Sequence, residues 1–296
     1  MRIIDQGAGP ALVLVPGIQG RWEYMRPAVD GLARFFRVIT FPLCGERECP
    51  TPLDAARGLD DDVAQVAAVL DERRIEQAII CGVSFGGLIA LTFAARHPGR
   101  TRALVLASTP GPRWRLRRRH EIYARRPWLF GPLFLVEAPL RVRREIAATF
   151  PAHSGRWRFV RRQLRTIVAA PISLWRIAAR ARLMSRLALA PDCRAINCPA
   201  LIVTGDRALD YVAPVDGTSE YVALIPGARH VLLERTGHLG TISRPDEFAR
   251  IVSEFAATIG GDERPSRSEL TGEAVGARAE SEARVRRDAR TENASA

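Results

Sequence analysis

The sequence contains no lysine: all 44 of its basic residues are arginine. Cysteine is sparse, with five residues in 296 and no CxxC pair or Cys/His cluster of zinc spacing. That argues against a zinc module or a disulfide framework. No apolar run approaches the ~20 residues that cross a bilayer. The opening residues, Met1-Arg2-Ile3-Ile4-Asp5, lack the apolar centre of a secretory signal. Reduced thiols in a cytoplasm are the expectation. Acids are scarce in one place only. Residues 110–190 carry 19 Arg against three acids, net +16, while the whole chain has a formal charge of +12. Residues 1–109 balance to zero, 191–259 come to −3 and 260–296 to −1. A genome whose base composition favours Arg codons, or selection for anion binding by the bidentate guanidinium, would explain Arg in place of Lys, but codon preference would not explain where the acids are missing.

A hydrophobic share of 47% is that of a folded globular chain. Short aliphatic runs closed by Gly or Pro recur: Ala11-Leu12-Val13-Leu14-Val15, Arg37-Val38-Ile39-Thr40-Phe41, Ala78-Ile79-Ile80-Cys81, Ala103-Leu104-Val105-Leu106, Ala200-Leu201-Ile202-Val203 and His230-Val231-Leu232-Leu233-Glu234. Such runs read as strands buried on both faces. Helical patterns lie between them. Residues 54–73 carry Val63, Val66, Ala67 and Leu70, and residues 245–259 open on Pro245 with Phe248, Ile251, Val252 and Phe255 as a stripe. Alternation of this kind predicts an α/β fold with a mostly parallel sheet and flanking helices. From Pro110 to about Ala190 the pattern is helical without strands, with Trp157, Val160, Leu164 and Ile167 on one side of 156–168. This reads as a helical insertion. Residues 260–296 have almost no large apolar residue and are expected to be a disordered charged tail, with at most a transient helix at 277–290.

The residues that carry chemistry begin at Gly82-Val83-Ser84-Phe85-Gly86-Gly87, a G-x-S-x-G placed after a strand and before a helix. A serine there sits on a sharp turn with its hydroxyl exposed at a helix N-terminus. It needs a base, because a hydroxyl is a poor nucleophile at neutral pH. Of the five histidines, His97 reads as a helix C-cap, His120 and His153 lie in the insertion, and His230 starts a strand. His238 follows the last strand. Ser84 and His238 both stand at strand C-terminal ends, which share one crevice in such sheets. The group that orients the base must follow the strand ending at Thr204, where Asp206 and Asp210 both qualify.

These residues together resemble the serine hydrolases of the α/β-hydrolase fold superfamily with a helical cap. The matches are Val15-Pro16-Gly17, Gly82 to Gly87, Thr204-Gly205 through Asp210 to Pro214, and Gly237-His238 through Pro245, in the order Ser, Asp, His. The resemblance covers about residues 1–259. It implies a catalytic Ser84, Asp210 and His238. Asp210 is preferred because the acid usually stands four residues before a Pro, as Pro214 does here; Asp206 is the alternative, with a loop-capping role otherwise. It also implies an oxyanion hole from the backbone N–H groups of Ile18 and Phe85. The sequence departs from the family twice. Pro16 stands where a His usually precedes the Gly, and the Asp and Arg that many relatives carry near Pro42 and Cys44 are missing.

The resemblance further implies a core domain of residues 1–110 and 191–259 and a cap of residues 111–190. The cap's tryptophans Trp114, Trp128, Trp157 and Trp175, with Phe130, Phe134, Phe150 and Phe159, are expected to form its own small core, with arginine on a solvated face. Three other uses of the arginines stay open: an anionic substrate, peripheral contact with an anionic membrane surface, and non-specific nucleic acid, for which no recognised module is present. The expected activity is hydrolysis of an ester, thioester, lactone, amide or C–C bond in a small to medium acyl-type substrate, without cofactor or metal. Dehalogenases and epoxide hydrolases of this fold place Asp at the Ser84 position. The alternative is a non-catalytic ligand or anionic-surface binding protein on the same fold.

Overall fold

A run of aliphatic residues on both faces of a strand is stable only when helices cover the sheet from both sides. The computed structural model of the chain describes residues 1–188 and 190–260. Residues Met1–Glu254 form one compact unit, and a second begins at Phe255. Of the second, only the helical stretch up to Gly260 is described; the expected tail beyond it, including 277–290, lies outside the described residues.

In chain order the elements are β1 (Ile4–Gln6), β2 (Ala11–Val15), α1 (Arg26–Leu32), β3 (Arg37–Thr40), α2 (Asp60–Glu72), β4 (Ala78–Val83), α3 (Phe85–Arg96) and β5 (Thr101–Ala107). The insertion follows as α4 (Arg118–Arg125), α5 (Pro127–Thr149), α6 (His153–Ala169) and α7 (Leu174–Met184). The chain then runs through α8 (Ala190–Arg194), β6 (Ala200–Thr204), α9 (Val215–Leu224), β7 (Arg229–Leu232), α10 (Gly240–Ser243) and α11 (Pro245–Gly260).

The sheet has seven strands in the order β1-β3-β2-β4-β5-β6-β7. All neighbours are parallel except β1 and β3. Register aligns Ile39, Val13, Ile80, Leu104 and Ala200 across five strands, and all five are buried in one core. The strand order reverses at β2, whose neighbours are β3 on one side and β4 on the other. Such a switch opens a crevice at the strand C-terminal ends, here between the Pro16-Gly17 turn and Ser84.

Two local departures have simple causes. Strand β1 was not expected, because Ile4–Gln6 is a short, half-exposed edge without an apolar run. Helix α2 starts at Asp60 and not near Asp54. The Asp54 carboxylate instead accepts from the Ala56 amide at 2.9 Å, and Gly58 then leaves helical geometry at φ +64.

The insertion departs more. Its tryptophans do not form a core of their own: Trp128 is 72% exposed, Trp157 and Trp175 are 63% exposed each, and Trp114 packs against the core of the sheet instead. Leu164 and Ile167, on the α6 stripe, are exposed too. The reason lies in what packs inward. Helix α4 packs on α5 and α7, and the buried residues there include Ala124, Ala178 and Ala181. Small side chains let the helices approach closely and leave no space between them for indole rings. Phe159 and Tyr123 are the buried aromatic residues of the four helices.

One arginine fastens the insertion to the sheet. Arg180 of α7 is fully buried. It donates to the Ile18 carbonyl at 3.0 Å, the Cys44 carbonyl at 2.8 Å and the Glu46 carboxylate at 3.0 Å. Arg176 donates to the other Glu46 oxygen at 3.1 Å. Gly20, at φ +72, leaves the room that the Arg180 guanidinium fills. The 42–46 loop thus lacks the Asp and Arg of its expected relatives yet is braced from elsewhere. Besides Arg180, the Asp62 carboxylate accepts from the Cys44 amide at 3.3 Å, and Gln65 donates to the Pro42 carbonyl at 2.8 Å.

Breaking one side of a buried ion pair leaves the other charge uncompensated and costs about 3–5 kcal/mol. Arg180→Met should therefore lower the urea-unfolding free energy, by less than that full amount because Arg176 still pairs with Glu46. Combining it with Glu46→Gln should restore part of the loss, so that the double-mutant cycle is non-additive. Additive effects would show that the two groups are not coupled.

Candidate active site

One residue separates β4 from α3, and it is Ser84. Its backbone lies at φ 54, ψ −121, a region that a residue with a Cβ rarely adopts. Close backbone approach holds it there. A Cβ on Gly82 would meet the Gly86 carbonyl, and one on Gly86 would meet the carbonyls of Val15 and Pro16. The Ser84 amide donates to the Ala107 carbonyl at 2.9 Å, which ties the turn to β5. The turn after β2 comes close as well: a Cβ on Gly17 would lie 3.6 Å from that of Ser84.

The loop after β7 places His238 beside Ser84. Its Nε2 is 3.0 Å from Ser84 Oγ, and its Nδ1 is 3.4 Å from Asp210 Oδ2. The other Asp210 oxygen accepts from the amides of Val212 at 2.9 Å and Ala213 at 2.8 Å. Asp210 is therefore buried with both oxygens engaged, and its loop cannot rotate freely. Asp206 serves a different contact. Its amide donates to the Thr236 carbonyl at 2.7 Å and its carboxylate accepts from the Arg235 amide at 3.2 Å, tying the two loops together. Burial alone would push the His238 pKa down. The Asp210 carboxylate, by charge and hydrogen bond, and then Glu145, by charge, outweigh that and raise it above the ordinary 6.5.

The remaining histidines stand apart. His97 stacks on Phe93 at 4.7 Å at the end of α3. His230 bonds Thr204 Oγ1 at 2.8 Å on the sheet, His120 sits edge-on to Tyr123, and His153 opens α6. The two residues expected to supply an oxyanion hole, Ile18 and Phe85, directly follow Gly17 and Ser84. Phe85 is the first residue of α3, so its N–H has no intrahelical acceptor. Ile18 follows Gly17, and its carbonyl is held by Arg180.

Sequence reasoning missed Glu145. This α5 carboxylate is buried, and it accepts from the Leu239 amide at 2.8 Å, next to His238. Burial pushes its pKa up to about 7, against the lowering effects of the Gly237 and Leu239 amides and of His238. A signal was present in composition. The insertion holds only three acids, and Glu121 and Glu137 pair with Arg125 and with Arg141. Among the described residues Glu145 makes no arginine ion pair, because it points inward.

Among the described residues no three His, Cys, Asp or Glu side chains gather as a metal-ligand set. A cavity of about 480 Å³ lies along α6, lined by Phe159, Arg158, Arg161, Arg162, Arg165 and Ser243 among others. Neither Ser84 nor Asp210 nor His238 lines it.

Residues 12–251 match the model of the Alpha/beta hydrolase family. The chain is similar to 2-hydroxymuconate semialdehyde hydrolase of Pseudomonas sp. (strain CF600), 40% identical over 111 residues that span 36% of this chain and 39% of that protein. It is similar over more of its length to pimeloyl-(acyl-carrier protein) methyl ester esterase of Aeromonas hydrophila subsp. hydrophila, 28% identical over 264 residues, 84% of this chain and 96% of that one. In fold it is like the enol-lactonase from Burkholderia xenovorans LB400, with a TM-score of 0.70 at 24% identity, covering 86% of this chain and 96% of the other.

The raised Glu145 pKa sets a stability trend. A carboxyl whose folded pKa lies above its unfolded value favours folding fully at low pH, and that contribution falls as pH rises through about 7. Glu145→Gln keeps an acceptor for the Leu239 amide without the charge. Denaturation at pH 5 and pH 8 should show the variant gaining on the parent at the higher pH, by on the order of 2 kcal/mol. A difference that stays constant with pH would contradict a protonated Glu145.

Proposed function

This chain belongs to the alpha/beta hydrolase family, and on that footing we propose that it is a serine hydrolase with Ser84 as nucleophile, His238 as general base and acid, and Asp210 as the residue that orients His238. The observation that carries the reading is the continuous line from Ser84 Oγ through the His238 ring to Asp210, with contacts of 3.0 and 3.4 Å. Ser84 Oγ attacks the substrate carbonyl carbon while its proton passes to His238 Nε2. The imidazolium so formed is stabilised by Asp210. The amides of Ile18 and Phe85 receive the developing oxyanion, each typically worth ~10²–10³ in rate. The intermediate collapses as His238 returns the proton to the leaving group, and water then releases the acyl enzyme by the same route.

We place residues 111–190 as a cap over this site. The substrate class is small to medium acyl compounds: an ester, thioester, lactone, amide or an activated C–C bond. The named relatives, a semialdehyde hydrolase and a methyl ester esterase, fall within that range. An anionic substrate fits the net +16 of the cap segment, since a field of one sign concentrates counter-charged ligand and speeds its capture. A cytoplasmic setting fits five cysteines that are all unpaired.

A fluorophosphonate probe should label Ser84. Ser84→Ala should lower kcat by roughly 10⁴-fold or more while the thermal unfolding curve stays unchanged. Turnover that survives this substitution would sink the assignment. Ligand binding that persists in an unlabelled, inactive parent would instead favour a binding protein on this fold. The pH profile gives an independent check. Free enzyme needs neutral His238, so kcat/KM should rise with pH through a midpoint above 6.5. Asp210→Asn removes the main group that raises that midpoint and should move it down.

The charge of the substrate is tested separately. An anionic ester should exceed its neutral analogue in kcat/KM at low salt, and the advantage should shrink as salt is added. Equal values at low salt would exclude the anionic preference.

A further inference from the structure

Helix α5 turns an apolar stripe outward. Over residues 127–140 it holds one charged side chain, Glu137, which is drawn to Arg119 and Arg141. Leu129, Leu133, Val136 and Leu140 stand at i, i+4, i+7 and i+11, so they share one face. In most helices such a face packs against a core. Here all four are exposed, Val136 at 68%, with Trp128 beside them at 72%. Arginines close both ends of the stripe: Arg125 and Arg126 before it, Arg143 and Arg144 after it. The same pairing recurs on α6 and α7, where Trp157 and Trp175 are each 63% exposed amid arginines.

We propose that this face of α5 docks on an anionic phospholipid bilayer. Indole and leucine side chains gain by leaving water for the acyl boundary, and arginines at the rim meet lipid phosphates. Charge decides among the occupants of an apolar face. A second copy would bring another net +16 segment against the first and be repelled. A neutral surface would satisfy the leucines and leave the arginine rim unmatched. An anionic bilayer matches both. The contact is peripheral: among the described residues no helix is long and apolar enough to cross a membrane.

The test needs no turnover and is independent of the proposed chemistry. Full-length protein is sedimented with vesicles of phosphatidylcholine alone or mixed with phosphatidylglycerol. Binding should be confined to the anionic vesicles, fall as salt is added, and shift tryptophan emission to the blue. Leu133→Glu with Val136→Glu should weaken partitioning by at least about tenfold, with circular dichroism checking the fold. Should that pair fail to fold, Arg126→Gln with Arg143→Gln leaves the apolar face intact and should weaken anionic-vesicle binding by about tenfold or more. Equal binding to both vesicle types, or binding to neither, would overturn the proposal. So would a dimer in sedimentation velocity that Val136→Glu dissociates in protein that does not bind vesicles.

Discussion

The molecule depends on one close approach of three backbones. The end of β2, the turn between β4 and α3, and the first turn of α3 meet where Gly82 and Gly86 leave no space for a Cβ. Because these segments touch, Ser84 is held at positive φ with its hydroxyl in the crevice, and the amide that opens α3 is within reach of the same point. The Gly17-Ile18 turn arrives there because β2 is paired in register with β4, Val15 opposite Gly82. A methyl group at Gly86 would push β2 away from α3, and one at Gly82 would push β4 away from α3. The Ser84 backbone would then relax, and the crevice would lose one of its walls.

Around that point charge is distributed by burial. The insertion holds 19 arginines, and a few are used inward. Arg180 is fully enclosed and has carbonyl and carboxylate acceptors for its guanidinium. A buried cation without such partners would be strongly unfavourable. Glu145 works the opposite way. Its burial biases its carboxyl toward the neutral form, and it spends an oxygen on the backbone next to His238. One helix, α5, therefore carries a carboxyl into the site region at its C-terminal end and a leucine stripe into solvent at its N-terminal end. The insertion contributes to the site through these contacts as well as by its position in the chain.

How much could be read in advance differs by level. Strands β2 to β6 were legible because their aliphatic runs are continuous and punctuated by Gly or Pro. Strand β1 was not, because three half-exposed edge residues carry no periodic signal. The G-x-S-x-G at Ser84 and the Gly-His at 237–238 were legible because the chemistry demands specific residue types beside specific turns. The choice between Asp206 and Asp210 was open to composition, since both follow β6 by a few residues. Their different partners, the Arg235 amide for one and His238 for the other, arise from how the loops after β6 and β7 cross.

The amino-acid sequence alone determined the sheet-forming segments other than β1, the serine on its turn and the location of the excess charge, because each rests on local pattern or on counting. Tertiary structure decided what faces what. It put Trp128, Trp157 and Trp175 outside, the first and last of them on helices that pack through small side chains such as Ala124, Ala178 and Ala181. It turned Arg180 and Glu145 inward, since only the assembled fold offers them partners. Local preference cannot distinguish an arginine in water from one that fastens a loop, or a leucine stripe on a core from one on the surface; that difference lies in residues far away along the chain.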